Sequence, residues 1–128
     1  MAGECAQNTI EEIDGAWPEP DQNATRMIRT VHGLRRIPIQ SLEPEGLRVL
    51  ATQRVSLLNV LPRVLDVLDR NPLASGDLYP GDLLVATLRL GGELNVQQRQ
   101  QLRSIVDRLC RDESESVPQE VWDLGDAL

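Results

Sequence analysis

The 128-residue chain has no lysine, no phenylalanine, one histidine, two cysteines and three aromatic residues. Each scarcity removes a class of chemistry. The sole histidine, His32, has Ile28 and Arg36 four residues to either side, so no carboxylate stands ready to orient it as a general base. It reads as a satisfied structural histidine at the edge of an apolar stripe. Cys5 and Cys110 lie at opposite ends, without the short spacing of a metal or redox motif, and read as reduced thiols of a cytoplasmic protein. The longest uncharged run, residues 55–62, is far shorter than the roughly 20 residues a membrane helix needs. The first residues carry acids where a signal peptide needs bases, so export by that route is not expected.

No phosphate-cradling glycine loop, serine elbow or metal-ligand pattern is present. The carboxylate pairs Glu11/Glu12 and Asp66/Asp69 lack a third ligand at a recognisable offset and read as solvated helix faces, with Asp66 near Arg63 and Arg70. Catalytic residues, metal and cofactor are therefore expected to be absent.

What the chain does have is unevenly spread charge. Residues 1–23 carry six acids and no base, residues 24–111 carry 13 arginines against eight acids, and residues 112–128 carry six acids and no base. Acidic ends thus flank a basic middle within a net charge of −7. Such a balance repels nucleic acid and attracts cationic proteins. A helical nucleic-acid-binding regulator using the arginine-rich centre is the alternative, with Arg26, Arg29 and Arg36 sharing one side and Arg99, Arg103 and Arg111 another. The acidic ends can neutralise those arginines within the molecule, and the lack of lysine and of stacking aromatics weakens that reading further.

With 20 Leu, 11 Val and 6 Ile, the core must be aliphatic, and the excess of leucine favours helices. Thr9 and Glu12 match a capping box, and Gly15 with Pro18 and Pro20 keeps that helix short. Asp21 or Asn23 can cap a second helix, with Ala24, Met27, Ile28, Val31 and Leu34 on a buried stripe. Pro44 starts a third, reaching about Gln53 with Leu47, Leu50, Ala51 and Arg54 inward. Residues 55–70 form the central buried helix, whose Pro62 is harmless if Asn59 is the cap. Residues 82–88 form another, closed by Gly91 and Gly92. Asn95 and Gln98 box the start of one with Val96, Leu102, Ile105, Val106, Leu109 and Cys110 inward. Val117, Val121, Trp122 and Leu124 form a last short helix folding back on the core. The expected architecture is all-α, a compact single domain of six or seven helices spanning residues 1–128, with 1–8 and 112–116 flexible.

One part of the chain is more specific than its leucines. Leu34-Arg35-Arg36-Ile37-Pro38-Ile39, Leu47-Arg48-Val49-Leu50, Leu65-Asp66-Val67-Leu68, Asn71-Pro72-Leu73 and above all Gly76-Asp77-Leu78-Tyr79-Pro80-Gly81-Asp82-Leu83-Leu84 resemble the immunity proteins of bacterial contact-dependent growth inhibition systems, over roughly residues 9–90. The resemblance implies a small cytosolic protein that binds and blocks the toxic C-terminal domain of a delivered effector, commonly a nuclease. Two departures stand out: Gly91-Gly92-Glu93-Leu94-Asn95 lacks the aromatic that similar proteins carry there, and Glu43 replaces the usual Ser or Thr cap.

Interfaces favour rigid aromatic anchors, and an acidic inhibitor would meet the phosphate-binding Arg and Lys of a nuclease with carboxylates. Each aromatic here has acids beside it. The candidate toxin-binding residues are accordingly Asp77, Tyr79 and Asp82, then Trp17, Glu19 and Asp21, and Glu120, Trp122 and Asp123. Of the three sets the loop around Tyr79 is favoured, since its Gly and Pro residues shape it and Asp82 can cap the helix that follows. Trp17 reads chiefly as a fastener of its segment.

Overall fold

The computed structural model describes residues 9–15, 18–19, 21–112 and 117–125. Seven α-helices follow one another: α1 (Ile10–Asp14), α2 (Arg26–Leu34), α3 (Pro44–Thr52), α4 (Leu57–Arg70), α5 (Asp82–Leu88), α6 (Val96–Asp112) and α7 (Gln119–Gly125). Single 3-10 turns lie at Ile39–Ser41 and Gly91–Glu93. No strand forms among the described residues, where the pairs Thr9/Pro38 and Ser75/Pro80 make isolated bridges. The all-α expectation holds. Among the described residues no helix is long and apolar enough to cross a membrane.

The helix buried around its whole circumference is α5, and this corrects the expectation that residues 55–70 occupy the centre. Every residue of α5 is buried, and it packs against α3, α4 and α7. A seven-residue helix with no lysine or arginine has little stability of its own, so it exists because its neighbours enclose it. Around it lie Leu47 and Leu50 of α3, Val60, Leu61, Val64 and Leu68 of α4, Leu102 and Ile105 of α6 and Val121 of α7, all buried. By contrast α4 keeps one face in solvent, where Leu58 is 85% exposed, while Val60 and Leu61 of the same turns are buried.

The start of α4 also differs from expectation. Asn59 is not its cap; the Asn59 and Val60 amides donate to the Ser56 carbonyl at 2.9 and 3.0 Å, so the helix begins at Leu57. Ser56 and Arg54 both adopt left-handed backbone, φ 50° and 55°, which non-glycine residues rarely do. Arg54 closes α3 in the manner usually left to glycine, its amide donating to the Ala51 carbonyl and the Val55 amide to the Leu50 carbonyl, and Ser56 is held from a distance, its Oγ donating to Asp14 at 2.6 Å. Arg54 therefore points outward and pairs with Glu93, while α3 stops at Thr52. Pro62 falls inside α4 on its solvent face.

At α2 the cap is Thr25, whose hydroxyl accepts from the Ile28 amide; Asp21 instead accepts from the Asn23 amide in the preceding turn. The helix buries only Val31 and His32, leaving Met27 and Ile28 40% and 48% exposed. The periodicity was right for a helix, but α3 is its principal neighbour and covers only part of the stripe. His32 is buried as expected, yet its Nε2 finds no hydrogen-bond partner among the described residues, so it is not fully satisfied. Val96, expected inward, is exposed, because the capping box turns the first turn of α6 off the core. That box is complete: the Asn95 amide donates to Gln98 Oε1 and the Gln98 amide to Asn95 Oδ1, each at 2.8 Å. Helix α6 continues to Asp112, the first residue of the segment expected to be flexible; the rest of that segment and residues 1–8 lie outside the described residues.

Both acidic ends are tied to the basic middle. Arg36 pairs with Glu11 at 3.1 Å and with Glu19, while Arg35, almost fully buried, donates to the Gly15 carbonyl at 2.6 Å. The Arg36 guanidinium holds the Glu19 carboxyl below the usual range. At the other end Arg89 pairs with Glu120. Asp66 lies between Arg63 and Arg70 as anticipated, and Asp69 pairs with Arg108 of α6 at 2.9 Å.

Candidate functional site

The segment between α4 and α5 is short of regular structure but not of restraints. Asp82 does not cap its own helix; that position belongs to Gly81, at φ 91°. Its carboxylate, 2% exposed, instead reaches back along the loop. Oδ1 accepts from the Gly76 amide at 2.7 Å, and Oδ2 from the Leu78 amide at 3.1 Å and the Tyr79 amide at 3.5 Å. Burying a carboxylate is costly unless its charge is met by donors, and here three backbone amides converge on it. Arg48 of α3 stands 3.9 Å away.

A second carboxylate clamps the loop from below. Glu45 of α3 receives both Nε and a terminal nitrogen of Arg48, at 2.7 and 2.6 Å, and its Oε1 also accepts from the Asp77 amide at 2.9 Å. The loop lies so close to α3 that a Cβ on Gly76 would come within 2.5 Å of Glu45 Oε1 and 3.2 Å of Glu45 Cα. A Cβ on Gly81 would lie 3.0 Å from Pro118 Cδ, so the residues leading into α7 back the loop from the other side. The amides of 76–79 are thereby all directed inward, and the side chains of Asp77, Leu78 and Tyr79 outward. Leu78 is 61% and Tyr79 36% exposed.

Beside the loop a groove of about 530 Å³ runs between α2 and α3. Leu34, Gly46 and Val49 line it with Met27 on one wall and Asp77 on the other. Gly46 brings the two helices together, since a Cβ there would sit 3.0 Å from Leu34 Cδ2. The groove continues past Ile37 and Glu43. Its lining is mixed: apolar at Met27, Leu34 and Val49, acidic at Glu43, Glu45 and Asp77, and basic at Arg26 and Arg48, of which Arg48 is held by Glu45.

Hydrogen bonding to Arg48 is the main cause of a lowered Glu45 pKa, with the Asp77 amide adding to it. A carboxylate depressed in the folded state stabilises above its ordinary pKa of about 4.3 and loses that contribution as pH falls through the folded value. Wild type is therefore expected to lose more melting temperature than Glu45→Gln as pH falls from about 5 to about 2, the interval that begins near the ordinary carboxylate pKa and runs below it. At the acid end the two melts should converge. A gap that does not change with pH would show that the charged pair does not hold the loop.

Of the residues expected from sequence, Asp77 and Tyr79 stand together at the loop tip, and Asp82 is buried beneath them as their anchor. Helix α7 adjoins the loop through Pro118, with Trp122 half-buried against the core and Asp123 exposed; Glu120 is engaged with Arg89. Glu19 is engaged with Arg36, Asp21 lies in the turn before α2, and Trp17 lies outside the described residues. Not singled out in advance were Glu45, Arg48 and the exposed Met27. Glu45 and Arg48 are visible in sequence as an i,i+3 pair, whereas their tie to an amide 32 residues away is not.

Residues 10–105, three quarters of the chain, match the family model described as CDI immunity proteins, those of contact-dependent growth inhibition. The chain belongs to this family. Membership carries neutralisation of a CDI toxin. The matched span contains the groove and the clamped loop, while α7 lies beyond it. No curated protein and no solved structure matches the chain.

Proposed function

We propose that this CDI immunity protein acts in the cytoplasm as a non-enzymatic, stoichiometric inhibitor that occludes the toxic C-terminal domain of its cognate effector, a basic nuclease. The observation that carries the reading is the clamped loop. Asp77, Leu78 and Tyr79 are held outward by Asp82 and Glu45, so an exposed acid and an aromatic are presented without paying ordering entropy on binding. The groove beside them offers the Asp77 and Glu43 carboxylates to basic side chains with apolar stems, with Arg48 already engaged by Glu45 and Arg26 also on its lining. Trp122 and Asp123, on the helix that adjoins the loop through Pro118, and Asp21 are the next candidate contacts, while Glu19 and Glu120 contribute less because Arg36 and Arg89 already neutralise them. A complex of ordinary size buries about 1,600 Å² in total. The whole chain acts as one domain in this reading.

A further observation supports it. The only histidine is buried in α2 and lines neither the groove between α2 and α3 nor its continuation past Ile37. Among the described residues seven arginines, Arg36, Arg48, Arg54, Arg63, Arg70, Arg89 and Arg108, pair with carboxylates. Of the six named for the nucleic-acid-binding alternative only Arg36 is among them, and that alternative predicts duplex binding in a low-salt gel shift, which the inhibitor reading does not.

Co-expression with the toxin domain encoded beside this gene is expected to yield a one-to-one complex whose association slows as salt rises. Combining Asp77→Arg with Tyr79→Ala should weaken the complex at least about tenfold, or about 1.4 kcal/mol, and leave the thermal melt unchanged. A lowered melt with unaltered affinity would confine the loop to a structural role.

A further inference from the structure

We propose that the groove between α2 and α3 takes a toxin segment carrying both signs of charge, an acidic side chain against Arg26 and a basic one against Asp77, together with an apolar side chain. This rests on the inhibitor reading above and goes beyond it, since a toxin face that is only basic supplies no partner for Arg26.

Among the described residues four charged ones line the groove, and two of them cancel. Arg48 is held by Glu45 through two hydrogen bonds, at 2.7 and 2.6 Å. Arg26 and Asp77 remain. Neither side chain makes a hydrogen bond or ion pair among the described residues, and Asp77 acts on Arg48 only at a distance. They stand on different elements, Arg26 at the start of α2 and Asp77 on the clamped loop. The groove also has a direction: Arg26 lines only the first part, Asp77 lines both parts, and Glu43 lines only the continuation past Ile37. Its free charges thus run from positive to negative over the apolar surface of Met27, Leu34 and Val49. An occupant that matches them carries its acid at the α2 end and its base toward the loop.

Arg26 has no evident task inside the protein. Of the three arginines that share a side of this stretch, Arg36 pairs with Glu11 and Glu19, and Arg29 donates to the Asp21 and Gln22 carbonyls at 3.4 and 3.1 Å. Arg26 alone is left over. It is also the first residue of α2, in a first turn without an acid, where the helix dipole disfavours a cation. Specificity gives it a use. A chain of net charge −7 draws any basic protein, and one that brings only bases to this groove meets Arg26 as a like charge.

The test is the affinity of the full chain for the toxin domain encoded beside this gene, by titration calorimetry, with a thermal melt of each variant. Arg26→Glu takes the net charge two units below −7. If only the overall field mattered, a basic toxin would hold this variant as tightly as wild type or more so. An acid facing Arg26 predicts the reverse: affinity at least about tenfold weaker, with a melt unchanged or raised, because an acid suits the first turn of α2. Arg26→Lys should keep most of the affinity, and Met27→Ala should lower it several-fold. Changing the toxin's acids to arginine one at a time should yield a variant that restores binding to Arg26→Glu and not to Asp77→Arg. Arg26→Glu binding as tightly as wild type would overturn the proposal, and if Asp77→Arg still weakened the complex, the inhibitor reading would stand without it. No complex with wild type would overturn both. A wild type that dimerises by itself and is dissociated by Arg26→Glu would give the groove to a second copy and likewise overturn the assignment to the toxin.

Discussion

Replacing Leu84 by alanine is expected to lower the unfolding free energy by about 2–5 kcal/mol, toward the upper end of that range. Leu84 is fully buried in α5, and the helices around it have little freedom to close on a void. Helix α3 is tied to the 76–79 loop through Glu45, α4 is tied to α6 through Asp69 and Arg108, and α7 is tied to the end of α5 through Glu120 and Arg89. A cavity that cannot collapse forfeits both the transfer free energy of the lost carbons and the dispersion contacts of its lining. Domains of this size are stable by only about 5–15 kcal/mol, so one such change consumes a third or more of the margin. Leu58→Ala, the same chemical deletion at a solvent-exposed site, should stay within about 0.5 kcal/mol. Urea unfolding of both variants provides the measurement: the midpoint should fall for Leu84→Ala with its slope unchanged and hold for Leu58→Ala. Equal midpoints would place the centre of the core elsewhere.

The contrast between these two leucines also shows where sequence reading succeeds. Amphipathic stripes announce α2 and α6, because a stripe reports on the helix that carries it, whereas capping, proline and glycine signals announce α1, α3 and α5, the last of which is buried on every side. A stripe does not report which neighbour arrives. The stripe of α2 was therefore legible, but the exposure of Met27 and Ile28 was not, since that depends on how far α3 extends across it. Reciprocal local contacts read well: the Asn95/Gln98 box closes within four residues and needs nothing distant. Left-handed Ser56 was invisible for the opposite reason, being held by Asp14, 42 residues away, and left-handed Arg54 because it ends α3 where the sequence offers no glycine. The intramolecular neutralisation of the acidic ends was legible in outline from block charges, without the pairing of Arg36 with Glu11 and Glu19.

The candidate site divides along the same line. Gly76, Pro80 and Gly81 announced a shaped loop with Asp77 and Tyr79 at its tip, and the structure places both there. Asp82 announced a helix cap, because an acid in a first turn usually is one. Its true partners precede it by six, four and three residues and become neighbours only when the loop folds back over α5. No pattern in sequence distinguishes an aspartate that caps forward from one that clamps backward.

Asp82→Ala is accordingly expected to affect both stability and inhibition, which separates it from changes at the loop tip. Removing the carboxylate leaves the Gly76 and Leu78 amides facing a buried void and takes a negative charge from beside Arg48. Each stranded buried donor costs about 1–3 kcal/mol, and partial relaxation of the loop into water offsets some of that, giving a net loss of about 2–4 kcal/mol. Asp77, Leu78 and Tyr79 would then have to be ordered when the toxin binds, so affinity should fall as well, by tenfold or more if about 1.4 kcal/mol of ordering is transferred to the binding step. Asp82→Asn should be intermediate. Its remaining oxygen can still accept from the Gly76 amide, but its NH₂ group would confront the Leu78 and Tyr79 amides, donor against donor. Amide hydrogen exchange gives the most direct readout, because the protection of Gly76 and Leu78 should drop sharply in Asp82→Ala while that of α6 follows only the global loss of stability. Retained protection at those two amides would mean that the loop is held by Glu45 and packing alone, and the affinity loss assigned to Asp82 would have to vanish with it.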